Sequence, residues 1–80
     1  MRTAEVVDVI RGKHPFAVTA TAGIGGTVTF SLQKEHRVWT ENRLPLKGQT
    51  VVLDDLTHME DKGWRALSAR PYRPEDEEGN

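Results

Sequence analysis

Apolar and polar positions alternate in short bursts along this chain, and glycine or proline punctuates the gaps between them. Thr3 to Ile10 is rich in β-branched residues, with Val6, Val7, Val9 and Ile10 interrupted by Asp8. Apolar residues at both parities predict a first strand that bends and serves the core along more than one face. Arg11-Gly12-Lys13-His14-Pro15 then reads as a turn. Phe16, Val18, Ala20 and Ala22 alternate with Ala17, Thr19 and Thr21, which is strand period. Gly23-Ile24-Gly25-Gly26 predicts a hairpin connection, because glycine accepts the positive φ angles of tight turns. From Thr27 to Leu32 the alternation resumes, with Val28, Phe30 and Leu32 expected inside and Thr27, Thr29 and Ser31 outside.

The second half is less regular. Gln33 to Glu41 is polar, with Val38 and Trp39 as apolar anchors, and Asn42 to Gly48 is broken by Pro45. Thr50 to Leu56 predicts a strand with Val51 and Leu53 on one side and Val52 and Asp54 on the other. Thr57 to Lys62 reads as a polar loop closing at Gly63. Trp64 to Arg70 is the last strand, stopped by Pro71 and Pro74. No segment sustains helical periodicity. Five short strands separated by turn signals predict an all-β closed barrel. A five-stranded OB barrel and an SH3-like barrel both fit that pattern.

The order of the pieces carries a resemblance. Gly25-Gly26-Thr27-Val28-Thr29-Phe30-Ser31-Leu32 resembles the third strand of cold-shock domains. Pro45-Leu46-Lys47-Gly48-Gln49-Thr50-Val51-Val52-Leu53 resembles the run that opens strand four there and in OB proteins of the bacterial initiation-factor-one type. Lys62-Gly63-Trp64-Arg65-Ala66, followed by Ser68-Ala69-Arg70, is similar to the Lys-Gly loop and closing strand that both groups share. The likeness spans residues 4–72 and implies an OB fold that binds nucleic acid. Strand two, Phe16-Ala17-Val18-Thr19-Ala20, lacks the aromatic-rich pattern of cold-shock domains. No base-stacking residue is therefore carried over by family match.

Charge sharpens the division of the chain. The 80 residues carry a net charge of −1, yet residues 75–80 hold four acids and no base. The remaining 11 basic and 8 acidic residues give residues 1–74 a formal +3. The expected organisation is a barrel domain over 1–74 and a disordered acidic tail over 75–80, either a solvated end or an arm competing for a basic face. The absence of cysteine excludes disulfides and thiolate zinc sites. No apolar run approaches the roughly 18 residues of a membrane span. No signal peptide opens the sequence, so a cytoplasmic location is expected.

The candidate chemistry is binding rather than catalysis. Ser31 and Ser68 sit in no nucleophile motif. His14, His36 and His58 fall in different loops, so neither a metal nor another cofactor is expected. Basic and aromatic residues cluster instead: Arg37 with Trp39, Lys62 with Trp64 and Arg65, and Arg70 with Tyr72. Lys13 and His14 occupy the first loop, beside Phe16. In OB barrels a single strand lies across the strand 2–3 face, gripped by loops 1–2 and 4–5. Bases stack on aromatics while Lys and Arg neutralise phosphates. Those ten residues are the predicted interface for single-stranded RNA or DNA, RNA being favoured. The hydroxyl row Thr27, Thr29 and Ser31, with Thr19 and Thr21, forms a second candidate surface. A monomer that docks on a larger protein complex is the alternative reading.

Overall fold

Five strands are wound from the alternating segments: β1 (Arg2–Ile10), β2 (Phe16–Ala20), β3 (Thr27–Ser31), β4 (Thr50–Met59) and β5 (Gly63–Pro71). A computed structural model describes residues 2–61 and 63–78 of the chain. The strands close in the order β1-β2-β3-β5-β4, with β1 returning to β4. All pairings are antiparallel except β3 with β5. This is an OB-type closed barrel, and the parallel β3–β5 contact decides between the two barrels that fit the sequence.

β1 bends as its mixed parity requires. Residues Arg2 to Glu5 pair with β4, and Glu5 to Ile10 pair with β2. The β2 register shifts between Val6 and Asp8, a bulge that re-aims the strand between its two neighbours. Val28 and Phe30 of β3 point inward and are fully buried, with Leu32 almost so.

On β2 the two outward candidates, Phe16 and Thr19, fall on opposite parities, and the barrel buries that of Thr19. Ala17 and Thr19, not Phe16 and Val18, are fully buried. The closed barrel supplies the reason. Ala17 lies opposite Phe30 and Thr19 opposite Val28, so β2 contributes small residues where β3 contributes large ones. The buried hydroxyl of Thr19 donates to the Val28 carbonyl at 2.7 Å, which removes the cost of its polarity. Thr19 therefore leaves the candidate hydroxyl surface, and the Thr21 hydroxyl is engaged with the Thr3 carbonyl at 2.6 Å.

β4 also departs from its expected bounds. It runs on through Thr57, His58 and Met59, which pair with Arg65, Trp64 and Gly63 rather than forming a loop. Val52 faces away from Val51 and Leu53 but is equally buried, with Arg70 as its cross-strand partner. Between β3 and β4 a single 3-10 turn (Lys34–His36) replaces any longer helix. Val38 and Trp39 follow it and seal that end of the barrel, Trp39 stacking on Phe30 at 5.5 Å between ring centroids.

Residues Pro74–Glu78, which overlap the first part of the 75–80 segment read as a disordered acidic tail, form one short helix, α1. Proline at the first helical position needs no hydrogen-bond partner for its nitrogen. Asp76 reaches back to accept the Arg73 backbone N–H at 2.8 Å, a capping contact.

Candidate functional site

The register sorts the outward side chains into rows. Asp8, Val18, Thr29 and Arg65 are successive partners across β1, β2, β3 and β5. Ile10, Phe16 and Ser31 form the next row, toward the β1–β2 loop. Phe16, Val18, Thr29, Ser31 and Arg65 are all partly exposed there. From strand spacing and rise, Phe16 and Arg65 stand roughly 12 Å apart on one wall. Exposed Lys13 and His14 lie in the loop that opens onto Phe16. The parity of β2 thus places the Phe16 ring on the same outer wall as the Arg65 guanidinium.

The other candidates are dispersed. Trp64 pairs with the inward-facing Val28 and packs against the core at the opposite end, with His58 edge-on to its ring at 5.1 Å. It flanks the wall but does not pave it. Trp39 spends its ring on Phe30 and its indole N–H on the Arg43 carbonyl at 2.7 Å. Arg37 is the exposed residue that ends the 3-10 turn, in the left-handed region at φ 54°. Lys62 lies outside the described residues.

Arg70 sits at the far end of β5 and Tyr72 just beyond it, where that strand pairs with the beginning of β4 and not with β3. Arg70 is moreover held by α1. Its two terminal nitrogens meet the two carboxylate oxygens of Asp76 at 3.0 and 2.6 Å. That fork, joined by the Arg73 N–H, pulls the Asp76 carboxyl down from 3.8 to about 2, and the Asp76 hydrogen bond in turn raises the Arg70 guanidinium. One acid of the tail thereby takes a cation away from any ligand.

A carboxyl lowered in the folded state stabilises the fold above its ordinary pKa and loses that contribution as it is protonated. The docking of α1 is expected to be intact above about pH 4 and to loosen as pH falls toward 2. Amide shifts of Arg73 and Asp76 followed through an acid titration check this, and Asp76→Asn should show no such transition. A midpoint near the ordinary carboxylate value would contradict the paired geometry.

Ser31, a candidate as part of the hydroxyl row, and His36, weighed in sequence only as a metal ligand, join Arg65. Ser31 Oγ accepts the Gln33 N–H at 3.1 Å and meets His36 Nδ1 at 2.7 Å. Both line a groove of about 320 Å³ with Arg65. Only the outward parity of Ser31 signalled it in sequence; His36 is delivered by the 3-10 turn, which has no periodicity to read. Compared with protein-family models, curated proteins and solved structures, the chain matches none.

Proposed function

We propose that this protein is a small OB-type module that binds single-stranded nucleic acid, RNA in preference to DNA, across the β2–β3–β5 wall. The observation that supports it is the outer face itself: Phe16, the hydroxyls of Thr29 and Ser31, and Arg65 share one surface, with Lys13 and His14 at its edge. Phe16 stacks a base, the hydroxyls meet phosphate or base edges, and the cations neutralise phosphates. With so few cations on the wall, binding is modest, in the range of about 10⁻⁴ to 10⁻⁶ M typical of non-specific contacts. Sequence preference is weak, because every base offers a face to stack. Titrating labelled oligo-U and oligo-dT at low salt, with anisotropy for affinity and amide shifts for location, tests the reading. Shifts at Phe16, Val18, Thr29 and Arg65, with oligo-U the tighter ligand, are expected. No response to either oligonucleotide overturns it.

A second reading, a barrel that docks on a protein complex, is favoured by one feature. A groove of about 480 Å³ runs between Trp39, Leu44, Leu46 and Pro71 at the barrel end, and Leu46 is 71% exposed. Partners that survive nuclease treatment in a pull-down favour this reading; partners lost with the RNA favour the first.

A further inference from the structure

β5 engages its neighbours on one side at two separate places. It pairs with β3 at Trp64 and Arg65, and meets the Val38–Thr40 segment at Ala69. Between those contacts the strands part, and the groove of about 320 Å³ opens between Ser31, His36 and Val38 on one side and Arg65, Ala66 and Leu67 on the other. Its floor and flanks are mixed. Val38 and Ala66 are buried, Leu67 is 54% exposed, and the polar groups gather at the Ser31 end. The Ser31–His36 contact fixes the imidazole in the groove wall, whichever of the two donates.

Arg65 is the anomaly. Its Nε is shut away from solvent and has no hydrogen-bond partner among the described residues. A buried donor without an acceptor is costly, and more so on a charged group. A guanidinium presents its N–H groups as a planar fork that matches two oxygens of a phosphate. Threonines 29 and 57, its cross-strand neighbours, supply no charge to neutralise it.

We propose that this groove is a phosphate-binding subsite for a nucleotide unit. Arg65 takes the phosphate oxygens through its terminal nitrogens while Nε stays enclosed, His36 and Ser31 border the same anion, and the sugar or base lies along Val38 and Leu67. The apolar flank is what distinguishes a nucleotide from a bare ion here. The phosphate has two sources: a free mononucleotide, or one phosphate of a strand crossing the wall. The second source rests on the nucleic-acid reading above; the first does not.

Amide-shift titrations of the full chain with uridine 5′-monophosphate, uridine and oligo-U separate these. The monophosphate is expected to move Ser31, His36, Arg65, Ala66 and Leu67, and uridine to leave them in place. Arg65→Gln should weaken the monophosphate by roughly tenfold or more, with Arg65→Lys between, since lysine keeps the charge and loses the fork. Silence of the groove toward the monophosphate, or equal shifts with uridine, overturns the subsite, and these wild-type titrations decide it even if a variant misfolds. Oligo-U shifting Phe16 while the monophosphate leaves the groove unmoved would remove the subsite and spare the strand reading. The monophosphate moving the groove while oligo-U leaves the wall unmoved would keep the subsite and remove the strand reading.

Discussion

Phe30→Ala is expected to lower stability by about 3–5 kcal/mol, the usual loss when a fully buried phenylalanine is cut back. Phe30 is completely buried at the centre of the core cluster. Its ring lies nearly parallel to that of Trp39, at 21° and 5.5 Å, so the truncation also removes the surface on which the barrel's plug rests. An 80-residue domain has a total stability of only about 4–12 kcal/mol. The variant therefore gives up a large share of the stability the fold has. Urea unfolding followed by circular dichroism measures the loss. A change below about 1 kcal/mol would mean that the ring is not enclosed as the closed barrel requires.

The strands of this barrel could be read from sequence wherever pattern and burial agree. β3 is the clear case, since Val28, Phe30 and Leu32 are the larger apolar set and are also the buried set. β2 could not be read in the same way. Its larger apolar residues occupy one parity, yet the narrow lumen beside Phe30 and Val28 accepts only Ala17 and Thr19. Hydrophobicity alone cannot see that volume limit, which arises from strands distant in sequence. The extension of β4 through Met59 was hidden for a related reason: Thr57 and His58 are polar, and their pairing with Arg65 and Trp64 depends on the tight pairing of Met59 with Gly63. The candidate cations were legible as residue types but not as neighbours. Arg65 reaches the wall through the parallel β3–β5 register, and Arg70 is diverted by Asp76, which the acidic run did not single out from its companions.

Phe16→Ala is expected to weaken oligo-U binding by roughly 5- to 150-fold, the equivalent of about 1–3 kcal/mol for one stacked base. Stability should change far less than in Phe30→Ala, because Phe16 is only partly buried on the outer wall. The two phenylalanines thus separate by function: one closes the core, the other faces the ligand. Trp39→Phe is the companion variant. It keeps a ring over Phe30 and gives up the hydrogen bond to the Arg43 carbonyl, so it should leave oligo-U affinity unchanged. Anisotropy titrations of both variants beside the parent chain decide the matter. The opposite pattern, with binding lost in Trp39→Phe and kept in Phe16→Ala, would move the ligand from the β2–β3–β5 wall to the barrel end, where the Leu44 and Leu46 groove opens.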